Sequence, residues 1–186
     1  EDEVKMLAER HNASMDNLKM WYDGYNIGRE KSIYNPYSVM KALQRGSCRS
    51  YWTTTGAYDS VITYIQMNFD GLKDDIIRML AGERVYVNTS KFQNDMNIVR
   101  SKNDVLTVLI HLGYLAYDDE KQQCYVPNKE VTDELLNAVE DTSWKRLADA
   151  ITASRNLLDA TIAGNENAVA QAIDLAHDEN TSILAY

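Results

Sequence analysis

At 186 residues, 45% hydrophobic and 25% charged, the chain is sized for one medium domain with or without an appendage, and its apolar content excludes a disordered polymer. No apolar run approaches the roughly 20 residues needed to span a bilayer and no basic-then-apolar leader opens the chain, so a cytoplasmic protein that does not enter the membrane is expected. The net charge of −9 is uneven: from Asn128 onward eleven acids face four bases, a balance of −7, which disfavours broad nonspecific binding to phosphate backbones there.

Taken in order, Val4, Leu7 and Ala8 support a short first helix ending before His11-Asn12. Asn35-Pro36 is a start signal, because asparagine caps and proline is tolerated at the first helical position; Val39, Met40 and Leu43 form one face, and Gly46 is the stop. Tyr58, Val61, Ile62 and Ile65 recur at helical spacing. Asp70 is the expected cap of a further helix with Leu72, Ile76 and Leu80 inward and Gly82 at its end. Arg84-Val85-Tyr86-Val87 reads as a short strand, and Lys91 to Val99 fits neither period.

From Ser101 the signals sharpen. Ser101 and Asp104 resemble a capping box, opening an apolar helix from Val105 to Leu112 that Gly113 closes. Tyr114 to Tyr117 is expected as a strand, Asp118-Asp119-Glu120-Lys121 as a polar turn, and Gln123 to Val126 as the return strand, which Pro127 ends for want of an N–H. Asn128 then caps a helix through Val131, Leu135 and Val139. Helix, hairpin and helix in that order are what a winged-helix module requires. Beyond Asp141-Thr142-Ser143, a long helix with Leu147, Ile151, Leu158 and Ile162 stops at Gly164, and Asn165 opens a second one with Val169, Ala172, Ile173 and Ala176.

Chemistry is harder to find. Gly24 to Lys31 has no Gly-Lys-Ser/Thr ending and is no phosphate loop. Asp23, in Trp21-Tyr22-Asp23-Gly24-Tyr25, reads either as an aromatic-framed carboxylate lining a pocket or as a buried turn in which Asp23 holds local backbone and Gly24 takes positive φ; the turn is preferred because no acid–base partner lies nearby. His11, His111 and His177 make no metal pair at helical spacing, with His111 expected in the core or against the hairpin and His177-Asp178-Glu179 at a solvated helix end. Nor is there a nucleophile elbow. Cys48 and Cys124 read as two buried or half-buried thiols of a reducing compartment. A basic scatter (Arg45, Arg49, Arg78, Arg84, Lys91, Arg100, Lys102) with Tyr51 and Trp52 nearby is one pattern that serves nucleic acid, but Asp59, Asp74, Asp75 and Glu83 interleave with it, as in a mixed solvated surface. Arg45 and Arg49 are also candidates to act at a nucleotide held outside this stretch. No catalytic, cofactor-binding or metal-ligating residue is assigned.

Three strings, Trp21-Tyr22-Asp23-Gly24-Tyr25, Ile33-Tyr34-Asn35-Pro36-Tyr37-Ser38-Val39 and Tyr51-Trp52-Thr53-Thr54-Thr55-Gly56, together with Leu112-Gly113-Tyr114-Leu115 and Val126-Pro127-Asn128-Lys129-Glu130-Val131, resemble successive motifs of the bacterial AAA-ATPase-like family, whose members often carry a PD-(D/E)XK-type nuclease domain at the C-terminus. The resemblance covers nearly the whole chain. It implies a parent that uses ATP and Mg, with the phosphate loop before Glu1 and the nuclease acids and lysine beyond Tyr186, both ends being expected as cuts in that longer protein. No cofactor is expected in this stretch itself. The implied partners are the ATPase core and the nuclease core of the parent, with nucleic acid possible for the parent and no membrane.

The expected fold is therefore mainly α with a small β-hairpin: an irregular helical part of an ATPase-like region over 1–100, a winged-helix-like module over 101–142, and over 143–186 a helical hairpin leading into a nuclease-like domain. The expected role is to couple an ATP-binding core to a nuclease. A DNA-contacting winged helix and a protein-interaction module are the alternatives.

Overall fold

The computed structural model describes residues 1–28, 30–51, 63, 65–66, 68–90, 92, 101–138 and 142–181, and the side chains of the same residues apart from 138, 142–145 and 177–181. The chain is mainly helical, with eight α-helices and two small antiparallel sheets among the described residues. No described helix is long and apolar enough to cross a membrane.

Helix α1 spans Asp2–Arg10, as its apolar spacing predicts. Helix α2, Met15–Tyr22, has no counterpart in the sequence reading; Ser14 opens it by accepting the Asn17 N–H at 3.3 Å. Strands β1 (Tyr25–Ile27) and β2 (Glu30–Ile33) then pair antiparallel with an irregular register, so the stretch rejected as a phosphate loop is a hairpin. Helix α3 is Pro36–Arg45. The Asn35 side-chain oxygen accepts the N–H groups of Tyr37 and Ser38, and Gly46 ends the helix in a left-handed conformation at φ +65°. Tyr22, Leu18, Val39, Ala42, Leu43 and Tyr51 form the heart of a first apolar cluster among these elements.

The helix expected around Tyr58 to Ile65 lies largely outside the described residues; Ile65 is fully buried. Helix α4 is Leu72–Leu80, but Asp70 does not cap it. Asp70 sits in a single 3₁₀ turn at φ +51°, one residue too early, and Gly71 occupies the cap position. The free helical amide of Lys73 goes instead to the Asn68 side-chain oxygen at 2.9 Å.

Strand β3 (Val85–Tyr86) leads to helix α5 (Lys102–His111), which carries both halves of the expected capping box: Ser101 Oγ accepts the Asp104 N–H and Asp104 Oδ2 accepts the Ser101 N–H. The expected strand at Tyr114 begins later, at Ala116–Asp118 (β4), because the amides of Tyr114 and Leu115 still close onto Leu109 O at the helix end. Strand β5 (Gln123–Tyr125) pairs with β4 on one side and β3 on the other, giving the order β3-β5-β4. Helix α6 (Lys129–Ala138) is capped by Asn128, whose side-chain oxygen accepts the Val131 N–H at 3.1 Å. The ambiguous Lys91–Val99 stretch lies outside the described residues except for Phe92.

The second apolar cluster is the larger. Leu72, Ile76, Leu106, Leu109, Leu115 and Leu135 are all at most 1% exposed within it, so residues on both sides of position 100 share one core. Each such side chain contributes on the order of 1.5–3 kcal/mol by leaving water. Helix α7 (Thr142–Ile162) lays Ala148 and Ile151 against this body, and α8 (Glu166–Thr181) folds back on α7 after Gly164, forming the expected helical hairpin.

Candidate functional site: a buried carboxylate joint

The two clusters meet along a polar seam, and the seam is built from the residues the sequence singled out without assigning a role. At its centre is Glu130, the second residue of α6 and completely buried. One carboxylate oxygen accepts the Ser38 hydroxyl at 2.8 Å and the Tyr51 backbone N–H at 2.7 Å; the other faces Asn35 Nδ2 at 3.5 Å. A carboxylate in the first turn of a helix is also favoured by the positive end of the helix dipole. Asn35 thus works with both ends of its amide, its oxygen capping α3 and its nitrogen turned toward α6.

Around this centre each motif supplies a tether. The Tyr22 hydroxyl donates to Arg49 O at 2.9 Å and accepts the Arg49 N–H at 3.0 Å, so one phenol holds both backbone groups of a residue 27 positions away. Asp23 is buried and accepts its neighbour's Gly24 N–H and the Ser32 hydroxyl, each at 2.7 Å. That is the turn reading of Asp23, and Gly24 does take positive φ, at +118°. A side chain there is also sterically barred: a β-carbon on Gly24 would lie 2.0 Å from the Pro127 carbonyl oxygen. The Tyr25 hydroxyl donates to Gly113 O at 2.8 Å, the Tyr125 hydroxyl donates to Gly24 O at 2.9 Å, and Asn26 Nδ2 donates to the Tyr125 oxygen. Ser50 adds a hydrogen bond to Glu134 on α6. Burial pushes the Tyr22 and Tyr25 phenols well above the ordinary tyrosine value, so both stay neutral donors across the physiological range.

Among the other sequence candidates, Arg49 meets this joint through its backbone groups. The guanidinium carbons of Arg45 and Arg49 lie over the same ring, 5.6 and 5.3 Å from the centre of Tyr51. Arg78 pairs with Asp75 and Glu83, Arg84 with Asp118, and Lys102 with Asp75; Asp75 is itself buried, so this part of the basic scatter is not simply a solvated surface. Lys91, Arg100, Trp52 and Asp59 lie outside the described residues. His111 is exposed at the end of α5 rather than in the core, its ring edge-on to Phe92 at 5.5 Å, although its neighbours Val108 and Leu109 are buried in the apolar cluster. The His177 side chain lies outside those described. Among the described residues no group of three or more His, Cys, Asp or Glu could hold a metal ion. Cys124 is fully buried against Met79, and burial pushes its thiol up to about 12; Cys48 is half-buried with its thiol also raised by burial.

Glu130 was singled out in the sequence only as one member of the Val126–Val131 string, with no role of its own assigned. The available signal was weak: a carboxylate immediately before Val131, the first residue of that helix's apolar face, beside a capping asparagine.

A mainly helical protein whose two cores are joined by a polar network centred on one buried carboxylate is the class that this geometry defines. Comparison with protein-family models, with curated proteins and with solved structures finds no match for the chain.

Proposed function

We propose that this chain is a non-catalytic coupling piece of an ATPase–nuclease fusion, linking an ATP-binding core to a nuclease domain. The observation that carries the reading is the convergence on buried Glu130 of three segments that resemble family motifs: Asn35 and Ser38 from the second, Tyr51 from the third, and Glu130 from the last. A carboxylate sealed from solvent and occupied by protein donors is poorly suited to meet substrate. It is well suited to make two units move as one, which is what transmission between an ATP site and a distant nuclease needs. ATP and Mg would be bound by the parent's ATPase core, and these residues would supply no ligand to either.

The test has two parts. The chain alone is expected to hydrolyse no ATP and cleave no DNA; turnover that a point change within it abolishes overturns the proposal. In the full reading frame, Glu130→Gln is expected to leave ATP hydrolysis within about threefold of the parent while nuclease activity loses its response to ATP. An unaltered response in a variant that is still folded at the assay temperature also overturns it.

A second reading, a DNA-contacting winged-helix module, is favoured by the order α5–β4–β5–α6. The turn at its tip opposes it: Asp118, Asp119 and Glu120 outnumber Lys121 where a wing would meet phosphate. Salt-dependent binding of duplex DNA by the chain would restore it.

A further inference from the structure

The seam also opens outward. Between the β1–β2 hairpin and β4 lies a cleft of about 410 Å³ whose walls include Tyr25, Ile27, Ile33, Ile110, Leu115 and Tyr117. Ile27 is 69% exposed there, although a bulky aliphatic side chain would lose less by turning inward. Sharing Asn26 and Tyr117 with this cleft is a second notch, about 280 Å³, lined by Asp118, Asp119, Glu120 and Lys31. Arg84 engages Asp118 at 3.0 Å. Asp119 and Glu120 are exposed and have no ion pair among the described residues. An apolar hole and two exposed carboxylates therefore lie side by side on walls held by the bonds from Tyr25 to Gly113, from Asn26 to Tyr125 and from Tyr125 to Gly24.

We propose that this double cleft docks a peptide segment carrying a bulky apolar side chain next to a basic one, the first filling the cleft beside Ile27 and the second meeting Asp119 and Glu120. Charge selects this occupant. A nucleic-acid strand would be repelled by the notch and by a chain of net charge −9. In a second copy of the chain the exposed aliphatics Leu158, Ile162, Ile173 and Leu175 belong to the acidic helical hairpin, but Met6 beside Lys5 and Leu147 beside Arg146 are also exposed, so self-association of the chain that Ile27→Glu abolishes would overturn the choice of a peptide. A purely apolar small molecule would leave the carboxylates unused. The preformed walls reduce the ordering cost of binding. This proposal does not depend on the ATPase–nuclease reading and stands or falls separately.

The experiment uses the whole chain and three fluorescein-labelled octapeptides of Gly and Ser containing a central Leu-Arg, Leu-Glu or Ala-Arg pair, followed by anisotropy. The Leu-Arg peptide is expected to bind saturably, more tightly than either of the others and less tightly as salt rises. Ile27→Glu is expected to weaken it at least about tenfold, and Asp119→Lys with Glu120→Lys about fivefold with loss of the salt dependence. These positions are exposed and outside both apolar clusters, and thermal melts establish that each variant folds; Ile173→Glu on the distant hairpin is expected to change nothing. Equal binding of the Leu-Glu peptide, binding indifferent to Ile27→Glu, loss of binding in Ile173→Glu, or no saturable binding at millimolar peptide overturns the proposal.

Discussion

The α1–α3 region and the α7–α8 hairpin are both attached to the same central body, and by opposite means. The first is fastened through polar groups along the seam: Glu130 holding Ser38 and Tyr51, Tyr25 holding Gly113, Tyr125 holding Gly24. The second rests on a narrow apolar strip, Ala148 and Ile151, and on Arg155, which donates to Ala81 O at 2.8 Å and pairs with Glu83 at 3.0 Å near the surface. Leu158, Ile162, Ile173 and Leu175 of the hairpin remain more than half exposed. Apolar burial is tolerant of small displacements, whereas a buried carboxylate with fixed donors allows one geometry. The contrast predicts that the first attachment behaves as one cooperative unit with the body, and that the hairpin opens on its own.

The most damaging change to that contrast is Glu130→Ala. It leaves a buried hydroxyl and a buried amide without an acceptor, and a loss of about 3–5 kcal/mol is expected in denaturant unfolding. Glu130→Gln keeps one acceptor oxygen but turns an NH₂ toward other donors, and about 1–2 kcal/mol is expected. If Glu130→Ala costs no more than a surface change, the joint is not what holds the two clusters together.

Gly24→Ala comes next. The positive φ and the 2.0 Å approach of Pro127 O force either the β1–β2 hairpin or the start of α6 to move. A loss of about 2–3 kcal/mol is expected, with the amide signals of Tyr125 and Asn128 shifting in NMR spectra while those of α8 stay put. Shifts that reach α8 would merge the two attachments into one network.

Where local chemistry decided the structure, the sequence was readable. Asn35-Pro36 with Gly46, and Ser101 with Asp104, act within one turn of chain and were placed correctly. Asp70 failed although it is the same kind of residue, because its left-handed backbone leaves Gly71 at the cap. Helix α2 was missed although Ser14 caps it: Met15–Tyr22 is eight residues long and buries just Leu18 and Tyr22, too little for a period to show. The β1–β2 pair was missed for a related reason. Its strands are three and four residues long and are held by Tyr25 and Asn26 reaching partners 88 and 99 residues away. Glu130 belongs with these, since its burial depends on Ser38, 92 residues earlier. The aromatic-rich strings were conspicuous in the sequence because they make such distant contacts, and their roles were opaque for the same reason.

The smallest expected effect tests the other side of the comparison. Arg155→Met keeps the aliphatic stem of the side chain and removes its bonds to Ala81 O and Glu83, groups that water can replace at a half-exposed site. Global stability is expected to fall by about 1 kcal/mol or less. Hydrogen exchange should nonetheless quicken along α7 and α8 while the amides of α4, α5 and α6 keep their protection, because Arg155 is the anchor that ties the described part of the hairpin to α4 and the turn after it by hydrogen bonds. Exchange that quickens equally in α5 would mean that the strip at Ala148 and Ile151 is part of the core's cooperative unit, and the hairpin would then be as firmly joined as the Glu130 seam.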